Sequence, residues 1–146
     1  MEAGKAARFD TIVTVRENQK KQTTRELHQI TREKVVEIER LNDLHTEQQN
    51  AFDNSYKNQR TKASNMQIFS SFVKKLSSEI TQQTSTVRKI ETNEVNKREE
   101  LSERVKAKTI VEKLQGKFRE EFRKDVEHKE QLLTDSLNQR LQTKQP

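Results

Sequence analysis

The chain has 146 residues, and 29 Lys and Arg against 23 Asp and Glu leave a net charge of +6. Only 29% of its residues are hydrophobic, where a globular domain carries nearly half, so there is too little apolar side chain to fill a layered core. Two Gly and one Pro exclude collagen-like and Pro/Gly-rich chains and leave a β fold without the residues its corners need. What remains is long helix or disorder, and periodic apolar residues with interspersed charge of small net value favour helix.

There is no cysteine, hence no disulfide staple, thiolate nucleophile or Cys-bound metal. The opening Met1-Glu2-Ala3-Gly4-Lys5 lacks the apolar core of a secretory signal, and no apolar run approaches the roughly 20 residues of a membrane span. The expectation is a soluble, cytoplasmic protein.

The first predicted element is a helix over about 10–57. Ile12, Val15, Leu27, Ile30, Val35, Ile38, Leu41, Leu44 and Phe52 recur mostly at three- and four-residue steps. Arg16, Lys20 and Thr23 dilute that stripe, and Asp10 is a candidate N-cap. Between residues 54 and 65 the stripe is lost in Asn, Ser and Thr, which compete with helix by bonding their own backbone. A turn is expected at about 58–64. Ser64-Asn65-Met66-Gln67 then fits a capping box ahead of a second helix over about 65–142.

The second stripe is cleaner. Phe69, Val73, Leu76, Ile80, Gln83, Val87 and Ile90 step by four and three, a heptad seam with one polar member. It continues less strictly through Glu94, Leu101, Val105 and Lys108. Beyond, Leu114, Phe118, Phe122 and Val126 are four apart, as are Leu133, Leu137 and Leu141. Each such step turns the stripe by about 40°, so the apolar face broadens and drifts.

A short turn makes the two helices antiparallel neighbours. The fold class is therefore all-α: one antiparallel two-helix coiled-coil hairpin over 1–146, its second helix the longer. Folding about residue 62 brings Phe52 near Phe72, Leu44 near Ile80 and Ile38 near Val87. Helix 1 then ends opposite 112–116, near Gly116. The rest of helix 2 projects without a partner yet carries its broadest apolar face, which marks a binding surface.

Catalytic signals are absent: there is no phosphate loop, G-x-S-x-G or H-E-x-x-H. Asp125-x-x-His128 has half the spacing of a di-metal carboxylate site, but no second copy exists to complete it. No enzyme activity, cofactor or metal is expected. From Asn54 to Ser78 there are five basic residues (Lys57, Arg60, Lys62, Lys74, Lys75) and no acidic one, so the hairpin tip suits an acidic partner surface. Phe72 and Leu76, beside Lys74 and Lys75, are its candidate anchor. Residues 97–130 mix 11 basic with 9 acidic residues and do not form a phosphate-binding stripe.

Three segments resemble the FliJ family. The run Arg8-Phe9-Asp10-Thr11-Ile12-Val13-Thr14-Val15-Arg16-Glu17-Asn18-Gln19-Lys20 is similar to its opening. Met66-Gln67-Ile68-Phe69-Ser70-Ser71-Phe72-Val73-Lys74-Lys75-Leu76 is similar to its post-turn segment. Lys113-Leu114-x-x-Lys117-x-x-Glu120-Glu121-Phe122-x-x-Asp125, with Glu127-x-Lys129-Glu130-Gln131-x-x-x-x-Asp135, resembles its charged C-terminal helix. His45 and Gln49 depart from it, where relatives often carry Tyr.

The resemblance implies a non-enzymatic cytoplasmic component of the bacterial flagellar type III protein export apparatus. It would be a coiled-coil stalk in the hexameric export ATPase, linked to the export-gate membrane protein and to export chaperones, and peripheral to the inner face of the cell membrane. Carried onto this chain, Leu114, Phe118, Phe122, Val126, Leu133 and Leu137 would meet the ATPase. Phe72, Leu76, Lys74 and Lys75 would meet the gate. Neither nucleic acid nor membrane insertion is implied. The alternatives are a self-assembling structural coiled coil without an ATPase partner, and a basic helical nucleic-acid or adaptor protein.

Overall fold

A computed structural model describes residues 2–57 and 63–144. They form two helices, α1 (Glu2–Lys57) and α2 (Ala63–Gln142), with no strand among the described residues. The second helix is the longer, as the spacing predicts. Most of the turn expected at 58–64 lies outside the described residues; Ser64 already lies inside α2 rather than at its cap.

Helix α1 starts well before Asp10. Lys5, Ala6 and Ala7 favour helix, and a lone Gly4 costs only about 1 kcal/mol. Asp10 is therefore not a cap. Its carboxylate instead accepts hydrogen bonds from Gln115 and Arg119 of α2.

The chain divides into two compact units, residues 22–101 and residues 1–21 with 102–146. In the first, α1 and α2 run antiparallel in the register expected from folding about residue 62. Gln48 Nε2 donates to Ser77 Oγ at 3.2 Å, and Gln83 Nε2 donates to the Glu37 backbone carbonyl at 2.9 Å and to its carboxylate. Phe52 packs edge-on against Phe69, ring centroids 5.9 Å apart. Phe69, not the expected Phe72, is thus its neighbour, because Phe69 lies on the seam and Phe72 on its flank.

Buried and half-buried residues of α2 in this unit include Phe69, Val73, Leu76, Ile80, Gln83, Val87, Ile90, Glu94, Lys97 and Leu101. Those of α1 include Thr23, Leu27, Ile30, Lys34, Glu37, Leu41, Leu44 and Gln48. Both sets keep the three-four spacing of a heptad seam. Val35 falls outside it and is exposed, as is Phe52 on its edge.

Few of the apolar residues of this seam are fully buried. Ile30, Leu76 and Val87 are its buried hydrophobic residues, and Thr23, Gln83 and Glu94 are buried beside them. Lys34 Nζ lies 2.8 Å from Glu94 Oε2, and Arg98 donates to the other oxygen at 2.7 Å. Lys97 Nζ donates to Glu26 at 2.7 Å and to Glu100 at 2.9 Å.

These pairs set the register. A one-heptad slip in one direction puts Lys34 opposite Val87 and Glu26 opposite Ile90. The opposite slip puts Lys34 opposite Leu101 and Glu37 opposite Ile90. Either buries a charge against an aliphatic side chain without a counter-charge, which costs far more than an apolar mismatch.

In the second unit the half-buried positions of α1 include Phe9, Val13, Arg16, Glu17 and Lys20, and those of α2 Arg104, Lys108, Val111, Gln115 and Phe118. Ile12 and Val15, expected on the seam, are exposed, and Val105 is exposed where Arg104 takes the seam. Arg16 and Lys20 fix the stripe at Val13 rather than at its flanking aliphatics. Glu17 Oε2 sits 2.5 Å from Lys108 Nζ. Glu17 Oε2 and Glu94 Oε2 both meet their lysines as ion-pair partners rather than as aligned hydrogen bonds.

Two outcomes follow for stability. Leu76→Ala is expected to lower the unfolding free energy by about 2–3 kcal/mol, while Leu114→Ala, at a half-exposed site, changes it by less than about 0.5 kcal/mol; urea titration followed by circular dichroism measures both.

The second outcome concerns pH. Lys108 beside Glu17, and Lys34 beside Glu94, hold those carboxyls below their ordinary 4.5. Glu100 and Glu26 hold Lys97, and Glu17 holds Lys108, above the ordinary 10.5. A lowered carboxyl contributes stability above its unfolded value and loses it as pH falls through the folded one. A raised lysine contributes below its unfolded value and loses it as pH rises through the folded one. The thermal midpoint is therefore expected to be flat between 4.5 and 10.5 and to fall on either side, read by melting in a pH series.

Candidate docking surfaces

Phe118 was expected to open the unpartnered stretch of α2. It is half-buried instead, because the longer α1 carries Phe9 to it, ring centroids 5.5 Å apart and tilted by 36°. Asp10, one residue on, holds Gln115 and Arg119. This clasp was missed because the stripe was not read back before Ile12. Phe9 lies four residues before Val13, on the same seam as Arg16 and Lys20.

Past it, residues 119–144 are all exposed. Phe122, Val126, Leu132, Leu133, Leu137 and Leu141 are among the large hydrophobic residues in water. Of the residues expected on this surface, Phe122, Val126, Leu133 and Leu137 stand free, Leu114 is half-exposed on the flank of the seam, and Phe118 is taken up by Phe9.

Short-range charge supports the helix here. Arg123 donates to Glu120 at 2.8 Å and to Glu127 at 2.5 Å, and Lys124 lies 3.7 Å from Glu120. Arg123 holds the Glu120 carboxyl below the usual range, and Glu120 in turn raises the guanidinium. Pairs at this spacing stiffen an isolated helix. The stretch holds six basic and six acidic residues, so it presents apolar side chains in a charge-balanced frame.

The second surface lies in the unit of residues 22–101. Phe72 is 40% exposed, and Lys74 and Lys75 are exposed, Lys75 within 4.0 Å of Glu79. Leu76 does not belong with them. It is 3% exposed, because it occupies a seam position, so it cannot reach a partner. Tyr56, Met66 and Ile68, at 75%, 65% and 68% exposure, take its place. They were missed because they fall off the stripe.

Among the described residues no cluster of His, Asp or Glu could hold a metal ion. Asp125 and His128 are exposed. Among the described residues no helix is long and apolar enough to cross a membrane.

One family model, described as the flagellar FliJ protein, matches residues 5–146. No curated protein and no solved structure matches the chain.

Since residues 121–144 are exposed throughout, deleting 121–146 is expected to leave the thermal midpoint within about 2 °C of the full chain. A larger fall in a circular-dichroism melt shows that this stretch packs within the chain.

Proposed function

The chain belongs to the FliJ family, a component of flagellar protein export, and on that premise we propose that it is the non-catalytic stalk of the export ATPase. The observation that carries this reading is the exposed stripe Phe122, Val126, Leu133 and Leu137 on a helix that no part of the described chain covers. An amphipathic helix left alone in water is marginal, and a contiguous exposed apolar face marks a site of association. A hexameric ATPase supplies the covering surface in this reading.

The other end meets the export-gate membrane protein through Phe72, Lys74 and Lys75, without Leu76. Export chaperones are handled by the same stalk. The chain works in the cytoplasm, peripheral to the inner face of the cell membrane. The seam suits this task because its ion pairs resist sliding of one helix along the other, so a displacement at one place is not lost as slip.

The triple variant Phe122→Ala, Leu133→Ala, Leu137→Ala is expected to keep its helical content and to lose at least tenfold in stimulation of the export ATPase. Stimulation that survives it overturns the ATPase assignment. Phe72→Ala with Lys74→Glu is expected to lose capture of the gate protein and leave ATPase stimulation intact. A self-assembling coiled coil instead gives a stable dimer at micromolar concentration in sedimentation, abolished by the triple variant.

A further inference from the structure

The tip of the hairpin unit combines two properties that occur together nowhere else in the described chain. Its exposed side chains include Tyr56, Met66, Ile68 and Phe72, all large and apolar or aromatic. Its charge is predominantly positive, although Lys75 lies 4.0 Å from Glu79. Between Asn54 and Ser78 the sequence contains no acidic residue, and Lys57, Lys74 and Lys75 are exposed. The free stretch beyond Phe118 has comparable apolar exposure but balanced charge, which suits a protein surface and not an anionic one.

Ile68, Phe72 and Lys75 follow one another at four and three residues, so they share one face of α2. That face is not the seam, which runs through Phe69, Val73 and Leu76. That face carries Ile68, Phe72 and Lys75, followed by Glu79, and Lys74 lies on another face of the helix. Apolar side chains that enter the headgroup layer of a bilayer need no complementary pocket, and lysines beside them meet the anionic headgroups. A purely acidic segment without apolar side chains would match the lysines but leave Ile68, Met66 and Tyr56 in water.

We propose that the tip formed by Tyr56, Lys57, Met66, Ile68, Phe72, Lys74 and Lys75 adsorbs to the surface of an anionic phospholipid bilayer. The apolar side chains reach the headgroup–acyl boundary, and the three lysines neutralise lipid phosphates. Among the described residues no helix is long and apolar enough to span the bilayer. The contact is peripheral and weakens with salt, because the Debye length falls from about 10 Å at 0.1 M to about 4 Å at 0.5 M. It stands independently of any protein met by the same tip.

The test is flotation of the full chain with vesicles of phosphatidylcholine, with and without 30% phosphatidylglycerol (~30%, enough to give the strongly negative surface on which such adsorption depends). Binding is expected only to the anionic vesicles and is expected to be lost in 0.5 M salt (~0.5 M, where screening is strong). Each lysine removed weakens it by about fivefold, so Lys57→Gln with Lys74→Gln and Lys75→Gln reduces it by about a hundredfold. Ile68→Ser with Phe72→Ser weakens it at unchanged charge, which separates insertion from simple attraction. Lys124→Gln with Lys129→Gln, far along α2, leaves it intact. Equal binding to both vesicle types, no binding to either, or equal loss in the Lys124/Lys129 variant overturns the proposal. So does capture by a polyglutamate matrix without vesicle binding, which assigns the tip to an acidic protein instead.

Discussion

The structure depends on ion pairs placed inside a helical seam. A two-helix coil has one line of contact, and here several of its layers are charged: Glu26 with Lys97, Lys34 with Glu94, Glu17 with Lys108. Each pair is weakly stabilising, since its Coulombic gain is offset by desolvation. Its value lies in what a mispaired arrangement would cost. An aliphatic seam would be stickier and could slide by a heptad with little penalty. This one cannot slide without setting Lys34 against Val87 or Leu101, and Glu26 or Glu37 against Ile90.

That choice explains the low apolar content. Ile30, Leu76 and Val87 hold the hairpin unit, and Gln83 adds hydrogen bonds to the Glu37 backbone and carboxylate. Half-buried Leu27, Leu41, Leu44, Phe69, Val73, Ile80, Ile90 and Leu101 complete that seam, and large hydrophobic residues off it face outward. Single exposed residues such as Val95 and Ile110 are ordinary surface. The groups at the tip and beyond Phe118 are not, since several large side chains gather there in a chain that has few.

Much of the fold was legible because helical periodicity is a local signal. Phe69, Val73, Leu76, Ile80, Gln83, Val87 and Ile90 are read at the right spacing, polar member included, and both helices follow from the lack of breakers. The errors share one cause. Where charged residues occupy the seam, hydrophobicity no longer marks it, so Ile12, Val15, Val35 and Val105 attract the eye while Val13, Lys34 and Arg104 hold the positions. The start of α1 was misread for a related reason. Asp10 has the side chain of a cap, and only the partner helix, with Gln115 and Arg119, shows that its Oδ1 accepts across the seam. The exposed surfaces were legible in part. Phe122, Val126, Leu133 and Leu137 were found as surplus hydrophobicity, whereas Tyr56, Met66 and Ile68 have no periodicity to betray them.

The end of the clasp at Phe118 also bears on what covers the free stretch. A left-handed seam continued at heptad spacing from Val111, Gln115 and Phe118 would pass through Phe122, Asp125, Lys129 and Leu132. A second helix wound on in the same sense would therefore bury Asp125 and Lys129. Phe122 and Leu132 lie on that path, whereas Val126, Leu133 and Leu137 lie beside it, following Phe122 at steps of four, seven and four. Such spacing approaches an eleven-residue repeat, which straightens a coil or reverses its hand. The exposed apolar residues of this stretch therefore follow a path of their own beside the heptad line of the hairpin.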